Sequence, residues 1–191
     1  YEAGLKWRRD GFSLFATAFF AETEEQNFEL TSQRFFDRVY KSRGIELEAS
    51  LRMNEFFLNG GLTWTDAEIS KDDISPANEG NTPRRQADVV YQLTGGYAAA
   101  NWTVGANVIG TSDAYAQDNN QLVMPGYTQV NLFADYRFAE NWVVGLNVNN
   151  LFDTFGITES EEGGIVANTE NIIRARSIPG RTASLSVRYE F

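Results

Sequence analysis

A period of two, renewed many times along the chain, is the feature that most limits what this sequence can become. From Tyr127 onward, Val130, Leu132, Ala134, Tyr136 and Phe138 share one parity, while Gln129, Asn131, Asp135 and Arg137 share the other. Successive side chains of a strand point to opposite faces, so this stretch has one apolar and one polar face. The C-terminus repeats it, with Ala183, Leu185, Val187, Tyr189 and Phe191 against Ser184, Ser186, Arg188 and Glu190. Ile45, Leu47, Ala49 and Leu51 alternate with Glu46, Glu48, Ser50 and Arg52, and Tyr1, Ala3, Leu5 and Trp7 with Glu2, Gly4, Lys6 and Arg8. No helix accommodates such a pattern. Further strands are predicted at 11–23, 56–68, 86–97, 102–113 and 141–152, making about nine in an all-β, antiparallel, up-and-down arrangement. Phe15, Phe19, Phe57, Ile109, Phe133 and Val143 interrupt the polar face, which implies that something partly fills the space it encloses.

The connections alternate in length. Arg9-Asp10-Gly11, Met53-Asn54-Glu55, Ala98 to Asn101 and Ala139-Glu140-Asn141 are short and carry hairpin residues. Between them fall long connections at 24–39, 69–85, 114–124 and 153–177. Tight turns at one end and long loops at the other are the arrangement of a transmembrane β-barrel, with turns in the periplasm and loops outside the cell. Aromatic placement agrees. Trp7, Phe12, Phe56, Tyr97, Trp102, Phe138, Trp142 and Phe191 lie beside a short turn or the chain end on the apolar parity, and so form a candidate membrane-interface girdle. Phe20, Tyr40, Trp64, Tyr115, Tyr127 and Phe152 lie near the long loops. A soluble β-sandwich also has two-faced strands, but strands of ten or more residues and one-ended turns favour the barrel.

Composition narrows the function. A net charge of −10 over 191 residues excludes a binder of nucleic acid by phosphate neutralisation, which needs a basic stripe. With neither cysteine nor histidine, the chain has no disulfide, no zinc site of the usual kind and no Ser-His-Asp or Cys nucleophile. No catalytic, cofactor or metal residue is expected, and the chain does not read as an enzyme. Glu46 and Glu48, two apart on a strand, face the lumen, and Glu159, Glu161 and Glu162 lack the ligand spacing of a calcium loop. Residues 153–173 hold Asp153, Glu159, Glu161, Glu162 and Glu170 without a Lys or Arg, as a solvated external loop would. The start at Tyr1-Glu2-Ala3-Gly4-Leu5, without Met or a signal segment, reads as a processed or excised piece.

Pro125-Gly126-Tyr127-Thr128, Tyr136-Arg137-Phe138, Asn141-Trp142, Asn149-Asn150-Leu151-Phe152-Asp153, Pro179-Gly180-Arg181 and the closing Tyr189-Glu190-Phe191 resemble, in order and spacing, the last three strands of a TonB-dependent outer-membrane receptor. Ser42-Arg43-Gly44-Ile45-Glu46-Leu47-Glu48-Ala49 resembles another of its strands. After Asp153 the family often has a basic residue and then Tyr, where this chain has Thr154-Phe155. The resemblance implies that residues 1–191 are a C-terminal segment of a 22-stranded barrel, with the plug domain and TonB-interacting segment absent. It implies as partners the lipid bilayer, the plug and remaining strands, the energy-transducing protein TonB and a small nutrient ligand. The ligand would be siderophore-bound iron, haem, cobalamin or a carbohydrate, captured at external loops. Only Arg84-Arg85, Arg174 and Arg176 come near the loop ends, which leans away from a highly anionic ligand. The alternative is a complete small outer-membrane barrel of eight to ten strands with a pore or structural role, in which Tyr1 would pair with the final strand.

Overall fold

The computed structural model of the chain describes residues 1–30, 33–161 and 173–189. Nine strands form one antiparallel sheet: β1 (Glu2–Arg9), β2 (Phe12–Glu29), β3 (Arg34–Met53), β4 (Phe56–Asp72), β5 (Val89–Ala98), β6 (Trp102–Thr111), β9 (Tyr127–Ala139), β10 (Trp142–Asn149) and β13 (Thr182–Tyr189). Each lies beside its sequence neighbour, as hairpin connections require. Two short hairpins sit in the connections: β7 (Ala114–Tyr115) with β8 (Val123–Met124), and β11 (Ile157–Ser160) with β12 (Ala175–Ser177). Among the described residues β1 pairs only with β2 and β13 only with β10, so the sheet is open. The pairing of first and last strands expected of a small closed barrel is not formed.

Register keeps the two faces intact across the sheet. Ile45 faces Trp64, Leu47 faces Leu62, Leu93 faces Val108 and Val144 faces Val187, all on the apolar face. Thr17 faces Glu46, Asn59 faces Thr94 and Asn107 faces Asn131 on the other. A one-residue slip would turn every apolar side chain to the wrong side, so the alternation itself specifies the register. At the first turn Asp10 and Gly11 both have positive φ, 45° and 82°, the backbone of a two-residue turn matched to strand twist.

One expectation needs correction. The connection expected at 24–39 is mostly strand: β2 and β3 stay paired until Glu29 meets Arg34. Glu24, Glu25 and Gln26 give no apolar–polar contrast to read, and the backbone ladder alone carries the ribbon. The phenylalanines that interrupt the polar face lie in part on the wall itself. Phe19, Phe57 and Phe133 stand directly across from Gly44, Gly96 and Gly105. A Cβ on those glycines would come within 2.5, 2.6 and 2.4 Å of the rings. Each ring is therefore laid over a bare stretch of neighbouring backbone, the pairing by which an aromatic compensates for a strand glycine.

Candidate functional site

The short-turn end carries a belt of ring contacts. Trp7 and Phe12 have centroids 5.3 Å apart, Phe56 and Tyr97 5.0 Å, Tyr97 and Trp102 5.5 Å, and Phe138 and Trp142 6.2 Å. These separations suit edge-to-face or offset aromatic pairs. Seven of the eight girdle residues are thus brought together in three groups on the apolar face. Phe191 lies outside the described residues. Tyr189, which the sequence reading did not include, completes the third group with its ring 5.0 Å from Trp142. Its parity alone placed it on the same face. Most of these rings are exposed, Phe56 by 58% and Phe138 by 53%, in a chain whose own interior cannot cover them.

The opposite end holds a polar network. Arg38 and Asp72 face each other across β3 and β4 because a bulge at Val39/Tyr40 inserts an extra residue in β4. Counting from the Met53–Phe56 turn would set Arg38 against Lys71; the bulge puts Asp72 there instead. Arg38 Nη2 donates to Asp72 at 2.5 Å and Nη1 donates to Asp118 at 2.9 Å, joining two connections. Asp72 is fully buried and also accepts from the backbone N–H groups of Ile74 and Ser75, at 3.1 and 3.0 Å. Burial pushes its carboxyl upward, but the Ser75 N–H, the Arg38 charge and the Ile74 N–H together hold it below its ordinary value. Burial likewise opposes the charge on Arg38, and its contacts with the Tyr40 hydroxyl and Asp72 prevail, raising the guanidinium further.

The loop around Gln117 to Gln121, rich in amides, is a fastening. Asn81 donates to the Asp118 carbonyl at 2.8 Å, the Arg84 N–H donates to the Asp118 carboxylate at 2.9 Å, and Asn120 and Thr82 bond reciprocally at 2.9 and 2.7 Å. Arg85 donates to the Ser160 carbonyl and lies 3.5 Å from Glu159, which Arg176 approaches at 3.2 Å. Glu159 is thus held by two arginines. Arg85 ties the 73–88 connection to β11, and the Ser160 hydroxyl donates to the Ala116 carbonyl at 3.4 Å. Three connections form one interlocked block. Glu162 and Glu170 fall outside the described residues. Of the basic residues near the loops, Arg38 and Arg85 are held within the block, while Arg174 and Arg176, 93% and 81% exposed, pair at its surface with Glu161 at 4.0 Å and Glu159 at 3.2 Å.

The Asn149-to-Asp153 motif has a local explanation. Asn150, buried and left-handed at φ 51°, donates through Nδ2 to the carbonyls of Thr154 and Pro179 and accepts from the Thr154 N–H. Its own N–H donates to Asn131 at 2.8 Å. Asp153, also left-handed, accepts from the Arg181 N–H at 2.8 Å. Asn and Asp tolerate that backbone and satisfy neighbouring groups with short side chains. The motif and the distant Pro179-Gly180-Arg181 are therefore two halves of one clasp, set where β10 gives way to the last long connection.

The barrel profile of the "TonB dependent receptor-like" proteins matches residues 1–151. A curated relative, the metal-pseudopaline receptor CntO of Pseudomonas aeruginosa, is 32% identical over 119 residues, 59% of this chain and 17% of the relative. The solved siderophore receptor PiuA from Acinetobacter baumannii superposes with a TM-score of 0.81 at 22% identity, over 98% of this chain and 28% of its own. The ferric yersiniabactin uptake receptor FyuA from Yersinia pestis gives 0.83 at 19%, over 100% of this chain and 29% of its own. The chain thus spans less than a third of the length of each. The strand alternation, the open nine-stranded sheet and the profile match lead to one conclusion: the chain belongs to the β-barrel family of TonB-dependent receptors.

Proposed function

We propose that residues 1–191 are the C-terminal part of the barrel of an outer-membrane receptor, which binds a scarce nutrient at its external loops and admits it in a TonB-dependent way. The observation that carries this reading is the division of the sheet: a belt of exposed rings at the turn end and an interlocked polar block at the loop end. The ring belt would sit at the periplasmic interface, and the block would face outward. The missing strands would cover the free edges of β1 and β13, the plug would lie against the polar face, and TonB would engage a segment upstream. Among candidate nutrients, a chelated metal is favoured over haem, cobalamin or sugar, because the relatives above are named for a metal–pseudopaline complex and for siderophores. The exposed Arg174 and Arg176 would meet its acidic groups.

The test is the intact mass of the natural protein in an outer-membrane fraction, detected with an antibody against this chain. A membrane band several times 21.4 kDa supports the reading. A band near that mass overturns it in favour of a self-contained barrel, and absence from the membrane overturns both.

A further inference from the structure

In most of the ion pairs described at the loop end, carboxylates match or outnumber cations. Arg38 faces Asp72 and Asp118, Lys71 faces Asp37 and Asp73, Lys41 faces Glu22 and Arg43 faces Asp66. One cleft reverses the ratio. It has a volume of about 250 Å³, lies between the 73–88 connection and the β11–β12 hairpin, and is lined by Arg85, Arg174 and Arg176 against Glu159 and Glu161.

Arg85 is fixed in that cleft. Its backbone is left-handed at φ 61°, which is unfavourable for arginine. The conformation is held by its own N–H, bonded to the Tyr115 carbonyl at 2.7 Å, and by its guanidinium, which donates to the Ser160 carbonyl. The side chain is still 30% exposed, and its enclosed Nε has no acceptor among the described residues, so the fork is only partly satisfied. The Glu159 carboxylate lies 3.5 Å from Arg85 and 3.2 Å from Arg176, and that of Glu161 lies 4.0 Å from Arg174. Two of these three contacts are longer than a hydrogen bond, and pairs with such exposed partners contribute little to stability. Glu159 therefore sits loosely between two guanidiniums, in the position that a carboxylate from outside would take. A planar carboxylate matches the arginine fork, and one that binds a metal through a single oxygen keeps the other free for it. The oxygens of a catecholate or hydroxamate chelate are turned toward their metal.

We propose that this cleft is a carboxylate site: the nutrient is a carboxylate-type metal chelate anchored on Arg85 and Arg176, and Glu159 is the internal carboxylate that it displaces. This deepens the receptor reading above and rests on it.

The test measures binding of three radioactive iron(III) complexes to the full-length receptor in detergent by equilibrium dialysis: the citrate, the tris(acetohydroxamate) and the tris(catecholate). The citrate complex is expected to bind about tenfold or more tightly than the other two, as charge-assisted bonds to a fixed fork require. Arg85→Lys, which keeps the charge and loses the fork, and Arg176→Gln should each weaken citrate binding about tenfold. Glu159→Gln should tighten it, because the internal competitor is gone. If Arg85→Lys fails to assemble, Arg176→Gln decides alone, since that side chain is 81% exposed. Tighter binding of the catecholate or hydroxamate complex, no binding of citrate, or citrate binding indifferent to Arg176→Gln and Glu159→Gln overturns the site. A native protein of small mass in the fractionation above removes the receptor reading itself. A large receptor with any of those binding results removes only the carboxylate site.

Discussion

The two ends of this sheet are stabilised by different means. Of the eight non-glycine residues that are buried among those described, seven lie at or beyond the loop ends of the strands: Ile69, Asp72, Ala116, Gln117, Met124, Asn150 and Ser160. Only Val143 belongs to the turn-end half. The loop block thus supplies a small interior of its own, polar and closely bonded. The wall between supplies almost none, and leaves Leu62, Leu93 and Leu146 about two-fifths exposed. A barrel wall takes its burial from lipid outside and from whatever occupies the lumen, so its specification resides in alternation and register rather than in packing. The loop block, surrounded by water, has to be held by particular partners.

The largest expected effect falls on the block. Asp72→Ala leaves the part-buried Arg38 with Asp118 as its one remaining carboxylate and should cost about 3–5 kcal/mol, the range for breaking a buried pair. Asp66→Ala, which breaks the exposed contact with Arg43, should cost about 0–1 kcal/mol. Hydrogen exchange at loop amides of the full-length receptor reads both, and similar costs would dissolve the contrast between the block and an ordinary surface pair. Next comes the wall. Val144→Arg, on the apolar face opposite Val187, should cost about 2–4 kcal/mol, and Asn147→Arg on the polar face much less, in urea titrations of bilayer-inserted protein. Equal costs would mean that the two faces are misassigned. Asn150→Ala, which abandons the buried bonds to Thr154 and Pro179, should cost about 1–3 kcal/mol. Exchange at the amide of Arg181 should report the opening of the clasp.

The smallest effect is acid sensitivity. The Asp72 pKa is lower folded than unfolded, so its stabilisation is complete above the unfolded value, about 3.9, and drains as pH falls through the lowered one. The loop block should therefore loosen below about pH 4 while ladder amides of β5 and β6 keep their protection. Asp72→Asn should abolish that acid limb, and its persistence in the variant would assign it to another group.

Legibility follows the same division. The nine strands and their faces could be read because lipid on one side and a polar lumen on the other impose a period of two on every one of them. The outer half of the β2–β3 ribbon could not, since water on both sides of Glu24 to Gln26 removes the contrast. Nor could the Arg38–Asp72 pair, because residues 34 apart meet only if register is known, and the bulge beside Val39 shifts that register by one. The Asn149-to-Asp153 motif was visible as a resemblance, while its partner at Pro179 to Arg181 was visible only as a second one. What joins them is a pair of left-handed residues whose side chains reach 28 and 29 positions along the chain.

The proposed placement of the ring belt at the membrane interface has a consequence for membrane thickness. Phe12 and Phe20 are eight residues apart on the apolar face of β2, as are Phe56 and Trp64 on that of β4. At about 3.3 Å per residue this is about 26 Å along the strand, and a tilt of about 40° shortens it to about 20 Å of height. Such a wall matches a bilayer thinner than most, and longer acyl chains would have to compress around it or force the strands upright. Reconstitution yield should therefore decline as lipid chains lengthen, which makes the two tiers of aromatic rings a molecular gauge for the membrane this sheet can enter.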